Sequence, residues 1–224
     1  MRKGFTFIEL VVAIVVIAIA LMSVPLLLSQ TSRSNAFSIN QEVILATSTK
    51  IGNILSYPWD DKLVGSATVK PILDVTNGDS ELGRYPNLTS TRRIGNFKTN
   101  YRRKFDSNIT YASVVLGRTG DQNTSAYNDI DDFNGVNEEI TSGGVGDYIK
   151  DFNLSTSVYY INDSATYSSS PTLNFTLSTT SATPSTNLKM IEVKATDKNG
   201  NVVTTLRAFS SNIGSYELIY RTFN

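Results

Sequence analysis

Residues 5–28 have the sequence FTFIELVVAIVVIAIALMSVPLLL, in which Glu9 is the one ionisable side chain. At 1.5 Å per residue, a helix of this stretch is about 36 Å long, enough to cross a hydrocarbon core of about 30 Å. No comparable apolar run follows, and the rest of the chain is rich in Ser, Thr, Asn and Tyr. The sequence therefore predicts one membrane-competent N-terminal helix joined to one soluble domain.

The composition excludes many functions. The chain has 224 residues, 20 Lys and Arg against 20 Asp and Glu, a pI near 6.3, no Cys and no His. Disulfides, thiolate or imidazole metal sites and Ser–His–Asp triads are therefore impossible. Acid–base chemistry would rest on carboxylates, Lys or Tyr alone. Glycoside hydrolysis by carboxylates is compatible with this composition, but nothing positive supports it, and we expect no enzyme.

The N-terminal segment differs from a secretory signal peptide and from a simple anchor. Its basic start is Arg2-Lys3, and no small-residue cleavage site follows Leu28. A simple signal anchor explains the hydropathy, with the basic residues on the cytoplasmic side, but it does not explain Glu9. A carboxylate inside an apolar helix costs at least about 2.5 kcal/mol, which indicates a partner and a function for it.

The segment RKGFTFIEL at residues 2–10 resembles the type IV prepilin signal. In that family a short basic leader ends in Gly, and Phe-Thr-x-Ile-Glu-Leu opens the apolar helix. The resemblance implies that a prepilin peptidase of the bacterial inner membrane cuts after Gly4 and methylates Phe5. It also implies an α+β type IV pilin-like fold, in which a long N-terminal helix packs on an antiparallel sheet.

The resemblance gives Glu9 and Pro25 roles in assembly. In a filament core that excludes water, the Glu9 carboxylate would pair with the new N-terminal amine of a neighbouring subunit and set the axial register. Pro25 cannot donate a hydrogen bond to the Leu21 carbonyl, so it would kink or loosen the helix there. A harmless kink in the membrane is the alternative interpretation for Pro25.

The helical pattern continues beyond the membrane run, over residues 29–56. Six side chains recur at three- and four-residue intervals and predict one buried face: Phe37, Ile44, Thr47, Ile51, Ile54 and Leu55. Tyr57-Pro58 ends the helix, because the residue before a proline disfavours the α conformation. The predicted organisation is a leader at 1–4, an apolar helix at 5–28, its amphipathic continuation at 29–56 and a β-rich domain at 57–224.

The helix end also resembles that of MshD-like minor pilins, which belong to the mannose-sensitive haemagglutinin pilus. Residues 54–61 have the sequence ILSYPWDD, close to the Leu-Ser-x-Pro-aromatic-acidic helix end of those proteins. Trp59 is the one Trp of the chain. We expect it to fill the core where the helix meets the sheet.

Alternating or β-rich stretches predict strands in the C-terminal domain, at 97–105, 109–116, 155–161 and 173–177. The C-terminal hairpin is the clearest, because Asn199-Gly200 is a strong turn signal between 188–196 and 202–208. With that dipeptide as the turn, the predicted register puts two apolar pairs on one face and an ion pair on the other: Val193–Leu206, Ile191–Ala208 and Glu192–Arg207.

Basic residues cluster before and within the stretch 97–105, where Phe97 and Tyr101 are interleaved among them: Arg92, Arg93, Lys98, Arg102, Arg103 and Lys104. This composition is compatible with a groove that binds single-stranded DNA. Contact with the acidic residues between Asp121 and Asp151, in the same or a neighbouring subunit, explains the segregation of charge better. We therefore regard DNA as a partner that is not favoured.

The loop NDIDDFNG at residues 128–135 concentrates oxygen ligands: Asp129, Asp131, Asp132 and Asn134. Ca²⁺ takes six to eight such oxygens, and binding would make the loop rigid. The spacing is not that of an EF-hand. A calcium site and a solvated acidic turn are equally compatible with the sequence, and Arg102 and Arg103 are alternative counter-charges.

These features together predict a structural subunit, a minor pilin or pseudopilin, that assembles through its apolar helix. Its partners would be other pilin or pseudopilin subunits, the prepilin peptidase and the inner-membrane assembly platform. It would span a bacterial inner membrane once, with the N-terminus in the cytoplasm, before entering a periplasm-spanning or cell-surface filament. The alternatives are a type II secretion pseudopilin, a binding module at a filament tip that uses the basic stretch, and a signal-anchored enzyme.

Overall fold

A long helix and two antiparallel sheets form the part of the chain that the structure describes. This structure is a computed structural model. It describes residues 4, 6–63, 69–71, 73–77, 94–97, 111–118, 126–144, 146, 148–162, 176–183 and 185–212. The elements are α1 Phe7–Leu55, β1 Val69–Pro71, β2 Ile94–Phe97, β3 Asn137–Ile140, β4 Phe152–Tyr160, β5 Leu188–Asp197 and β6 Val202–Ser211, with single 3-10 turns at Asp61–Leu63 and Asp131–Phe133.

Helix α1 is continuous over Phe7–Leu55, which confirms the single long helix predicted from the sequence. Its 49 residues make it roughly 74 Å long. Thr6 caps its start and Ser56 its end, directly before Tyr57-Pro58. The helix continues through Pro25, and a loosening at that position stays a prediction.

The two halves of α1 have different surroundings. The residues from Thr6 to Ser38 are all exposed, whereas a stripe further along is buried: Val43, Ala46, Thr47, Ile51 and Ile54. This spacing of three and four residues is that of one helix face. Thr47 fits into the apolar contact because its hydroxyl donates to the Val43 carbonyl, at 2.7 Å. Only the second half of α1 is therefore part of the domain core.

The predicted buried face of α1 is partly wrong. Phe37, Ile44 and Leu55 are 64%, 39% and 43% exposed, while Val43 and Ala46 are buried in their place. Both sets have helical spacing, so periodicity alone does not separate them. The structure places Val43 and Ala46 on the buried face together with Thr47, Ile51 and Ile54, and the other three residues lie outside that face.

The second half of α1 packs against β5 and β6 of a four-stranded antiparallel sheet with the strand order β3-β4-β5-β6. Along β4 the residues alternate, and the inward set is buried: Phe152, Leu154, Thr156, Val158 and Tyr160. Trp59 joins the same core at 4% exposure, and its indole N–H donates to the Ser210 carbonyl at 3.3 Å. This confirms the α+β class and the expected place of Trp59 in the core.

The register of the C-terminal hairpin is confirmed, but its turn differs from the prediction. All three predicted pairs are present: Val193–Leu206, Ile191–Ala208 and Glu192–Arg207. The chain reverses over residues 198–200, where the Gly200 N–H donates to the Asp197 carbonyl and Gly200 has φ +82°. The register shifts by one residue beside Ala195 and Thr196, which restores the predicted pairs.

Asp197 explains the different turn. Its carboxylate accepts hydrogen bonds from the backbone N–H groups of Asn199 at 2.9 Å and Asn201 at 2.8 Å. An Asp side chain that binds the backbone two residues on favours a turn that begins at the Asp itself. A three-residue loop with Gly in the left-handed conformation therefore replaces the two-residue Asn-Gly turn.

The other predicted strands have mixed outcomes. Strand β4 confirms the prediction at 155–161, although Ile161 itself forms an isolated bridge. The prediction at 109–116 is wrong over its described part, since Tyr111 forms one bridge with Asp74 and residues 112–116 are irregular. Residues 176–177 are irregular as well, and residues 98–105 and 173–175 lie outside the described part.

Candidate functional site: a buried acidic cluster and the helix N-terminus

The acidic loop of the sequence is buried. Asp129, Asp131 and Asp132 are at most 1% exposed, which excludes a solvated acidic turn. The Asp129 Oδ1 atom accepts from the backbone N–H groups of Asp131 at 2.9 Å and Asp132 at 3.1 Å. Asp132 Oδ2 accepts in turn from the N–H groups of Asn128 and Asp129. The carboxylates thus hold the short 3-10 turn together by binding its own backbone.

Lys189 on β5 supplies a positive charge to this loop. The side chain is fully buried, and its Nζ atom contacts Asp131 Oδ1. Nζ also donates to the Trp59 carbonyl at 2.6 Å and lies 3.7 Å from Asp60 Oδ2. The rings of Trp59 and Tyr160 lie over Nζ, with centroids at 4.3 and 5.4 Å. Arg102 and Arg103, the counter-charges that the sequence suggested as an alternative to Ca²⁺, both lie outside the described residues.

The position of Lys189 along β5 is the signal in the sequence that could have identified it as a core residue. On β5 it has the same parity as Ile191, Val193 and Ala195, all of them buried. Because side chains alternate between the two faces of a sheet, a Lys in phase with an apolar set is placed in the core. A buried lysine needs an acidic partner, and the acidic loop is the obvious source of one.

Asp60 and Asp61, which follow the end of α1, extend the cluster. Asp60 Oδ2 accepts from the Ser113 N–H at 2.8 Å, and Asp60 Oδ1 from the Lys62 N–H at 3.2 Å. Asp60, Asp61 and Asp129 can each offer one carboxylate oxygen within 4.8 Å of the others, a spacing that could hold a cation. Both Asp60 and Asp61 were missed as candidates, because only the fold brings them to the loop.

The four ligands predicted for Ca²⁺ are therefore engaged in different ways. Asp129 belongs to the three-carboxylate group, Asp131 contacts Lys189, and Asp132 binds its own turn. The side chain of Asn134 accepts from the Val158 N–H at 3.0 Å instead. A cation held by Asp129 with Asp60 and Asp61 has the hard oxygen ligands that Ca²⁺ takes. Calcium binding here stays a prediction.

Asp129 makes the stability of the fold depend on pH. Burial, followed by repulsion from Asp131, raises its pKa from 3.8 to about 9. Between those values the folded chain holds a proton that the unfolded chain has released, so the free energy of unfolding falls as pH rises. We expect a lower Tm at pH 8 than at pH 5, and a flatter profile in Asp129→Asn, whose side chain is always neutral. Parallel profiles of the two proteins would contradict this assignment.

At the other end of the molecule, Thr6 and Glu9 close the start of α1. The Glu9 Oε2 atom accepts from the Thr6 N–H at 2.8 Å and from its hydroxyl at 2.9 Å, and Thr6 Oγ1 accepts from the Glu9 N–H at 3.4 Å. This reciprocal pair is a capping box, which satisfies donors that a helix start leaves free. In the single chain the Glu9 carboxylate is therefore hydrogen-bonded before any neighbour arrives.

The first half of α1 carries large apolar side chains that no described part of the chain covers. Sixteen of them between Phe7 and Leu28 are at least 42% exposed. This helix is long and apolar enough to cross a membrane, and it lies near the N-terminus. So much apolar surface is stable only against lipid or against other protein.

Residues 1–24 match the prokaryotic N-terminal methylation motif. The match covers Gly4, Phe5 and Glu9, and it supports the resemblance to type IV pilin-like proteins that the leader suggested. No curated protein and no solved structure matches the chain.

The motif and the fold agree with each other. The matched residues include the start of α1, and the described part of the chain has the long helix and antiparallel sheet of a pilin-like fold. The motif implies processing by a prepilin peptidase and assembly with other pilin-like subunits. The six residues of the predicted ligand patch lie outside the described part: Arg92, Arg93, Lys98, Arg102, Arg103 and Lys104.

Proposed function

We propose that this chain is a structural minor pilin or pseudopilin, cut after Gly4 and assembled through α1 into a type IV pilus-like filament. The observation that carries the proposal is the methylation motif at 1–24, which lies at the start of a long helix. The first half of this helix is exposed, and its second half is packed against the sheet. The motif explains why the leader would be removed, and the exposed half of α1 explains how subunits would assemble. A purely structural role agrees with a chain that lacks Cys and His.

The exposed part of α1 suits both states of such a subunit, inserted in the membrane and assembled in the filament. From Thr6 to Ser38 it extends about 50 Å before its first buried side chains, longer than a hydrocarbon core of about 30 Å. Lipid covers the apolar residues while the subunit is in the inner membrane. Before cleavage, Arg2 and Lys3 lie on the cytoplasmic side. In the filament the helices of neighbouring subunits replace the lipid.

The capping box gives Glu9 a reason to be stable at both stages. In the membrane the Thr6 N–H and hydroxyl bind the Glu9 carboxylate and offset part of the cost of a polar group in lipid. On assembly the same carboxylate can pair with the N-terminal amine of Phe5 in a neighbouring subunit. That pair forms only at the correct axial offset, so Glu9 specifies the register more than it adds stability.

The proposal covers minor pilins and pseudopilins, including those of type II secretion, which share the leader and the helix. An MshD-like minor pilin is the specific form that the helix end at 54–61 favours. The partner subunits would separate these forms. Extraction of the chain from membranes in mild detergent, followed by identification of the proteins that remain bound, measures this directly.

Processing at the Gly4–Phe5 bond tests the proposal. We expect the mature protein to begin at a methylated Phe5, because the peptidase requires the Gly4–Phe5 junction. Intact-mass analysis should show loss of residues 1–4 and the added methyl group. A Gly4→Leu variant should keep the leader, while Gly52→Ala, an exposed glycine of α1 with open space beside it, should be processed normally. An uncut wild-type leader in cells that contain the peptidase would overturn the proposal.

A further inference from the structure

A nucleophile and an electrophile meet in the core at Lys189 and Asp131. The Lys189 Nζ atom contacts Asp131 Oδ1, and both side chains have no exposed surface. The rings of Trp59 and Tyr160 cover the amine and exclude water from the contact. Held groups of this kind react at effective concentrations far above those of free molecules. A lysine amine is a competent nucleophile once it has lost its proton.

Asp131 is a better target for attack by the Lys189 amine than Asp60, the other carboxylate near Lys189. Asp60 lies further from Nζ, at 3.7 Å, and the Ser113 and Lys62 N–H groups bind both of its oxygens. Those donors stabilise the ionised form, which resists nucleophilic attack. Asp131 contacts the amine directly, and its Oδ2 atom accepts from the Gly117 N–H at 3.3 Å.

Asp129 is placed to move protons in this contact. It is buried directly beside Asp131, whose backbone N–H donates to Asp129 Oδ1 at 2.9 Å. Asp129 Oδ2 is buried and has no hydrogen-bond partner among the described residues, so this oxygen is free to exchange a proton. A carboxyl group beside the reacting atoms can take a proton from the amine and give it to a leaving group.

We propose that Lys189 and Asp131 become joined by an intramolecular isopeptide bond, with Asp129 as the proton shuttle. A proton passes from the Lys189 ammonium to the Asp131 carboxylate, which leaves a neutral amine beside a neutral acid. Nζ then attacks Cγ of Asp131, the C–N bond forms, and a C–O bond breaks. Asp129 takes the second proton from nitrogen and protonates the departing hydroxyl. One water leaves, no oxidant is needed, and one positive and one negative charge disappear together.

The product amide finds hydrogen-bond partners already in place. Its N–H replaces the Nζ donor that now binds the Trp59 carbonyl at 2.6 Å. Its carbonyl oxygen keeps the Gly117 N–H, which lies 3.3 Å from Asp131 Oδ2. Gly117 has φ +99°, a conformation that favours glycine and sets the direction of this N–H. The amide therefore keeps hydrogen bonds to the Trp59 carbonyl and the Gly117 N–H, and Asp60 keeps those from the Ser113 and Lys62 N–H groups.

The bond would link the 3-10 turn to strand β5 across 58 residues of sequence. A chain with no Cys cannot close such a loop with a disulfide. An amide cross-link restricts the unfolded chain in the same way and is not reduced by thiols. A covalent link from the acidic loop to the central sheet suits a protein that bears load, although the chemistry does not depend on the filament.

Intact mass of the full chain, purified from membranes in detergent, tests the proposal. The wild type should be one water molecule lighter than its processed sequence. Trypsin should release a branched peptide that joins 119–150, which contains Asp131, to 151–194, in which cleavage after Lys189 is blocked. Folded wild-type protein of full mass, with a linear peptide ending at Lys189, would overturn the proposal. A water loss confined to linear peptides would overturn it equally.

Substitutions identify which side chains take part in the reaction. Asp131→Ala and Lys189→Arg should have full mass, whereas Asp131→Asn should lose one ammonia in place of water. Asp129→Asn should leave most of the protein at full mass while keeping the oxygen that binds the turn. Lys198→Arg is the matched control, because Lys198 contacts Asp151 on the surface, and it should still lose one water. Retention of the water loss in Lys189→Arg would exclude Lys189.

Discussion

Replacing Glu9 with Val is expected to remove the chain from filaments while leaving it in the membrane. Insertion should not suffer, because the substitution makes an apolar helix more apolar. Assembly should fail, because the N-terminal amine of the neighbouring subunit would enter a core without water and find no carboxylate. Quantification of the chain in purified filaments and in membrane fractions measures both effects.

A Glu9→Gln variant separates the charge of Glu9 from its role in the capping box. Gln retains an oxygen that can accept from the Thr6 N–H and hydroxyl, which Glu9 binds at 2.8 and 2.9 Å. If the charge sets the register, Glu9→Gln should be depleted from filaments as strongly as Glu9→Val. Normal incorporation of Glu9→Gln would mean that the cap alone matters. Normal incorporation of Glu9→Val would contradict any register role.

Lys189→Met should be the most destabilising single substitution in the domain. It removes the side chain that neutralises Asp131, through the ion pair before the bond forms and through the amide afterwards, and it leaves Asp131 and Asp60 as buried carboxylates without that partner. Removal of one partner from a buried ion pair costs about 3–5 kcal/mol. Met retains most of the apolar stem, so the loss is assigned to charge more than to volume. Denaturant unfolding of the purified chain measures the difference.

Lys194→Met is the matched control on the same strand. Lys194 is exposed on β5, five positions further along, and the substitution should change the free energy of unfolding by less than about 0.5 kcal/mol. The double variant Lys189→Met with Asp131→Asn should recover part of the loss, because one of the two carboxylates no longer needs a counter-charge. Equal stability of Lys189→Met and Lys194→Met would contradict the role of Lys189 in neutralising Asp131.

The parts of the fold that local chemistry determines could be predicted from the sequence. An uninterrupted apolar run and the Tyr57-Pro58 stop set the bounds of α1, and alternation along β5 and β6 set the hairpin register. The turn itself depended on a side chain outside the Asn-Gly dipeptide, since Asp197 binds the backbone of the loop. The buried face of α1 depended on which side of the helix meets the sheet, and two equivalent helical patterns do not reveal that side.

The candidate sites also differ in how far the sequence alone predicts them. Gly4, Phe5 and Glu9 are close in sequence, and the motif that contains them can be recognised without a structure. The acidic loop was recognised as a cluster, but its counter-charge was not. Lys189 is 58 residues from Asp131, and only the path of the chain brings them together. Long-range pairs of this kind follow from topology, which a single sequence specifies only weakly.

The fate of α1 is measured most directly by mass spectrometry of filaments purified from cells that express this chain. We expect the chain to be present in the filaments, with residues 1–4 removed and Phe5 methylated. A chain found only in the membrane fraction, with its leader intact while other subunits of the same cells are cut and assembled, would contradict its assignment as a filament subunit.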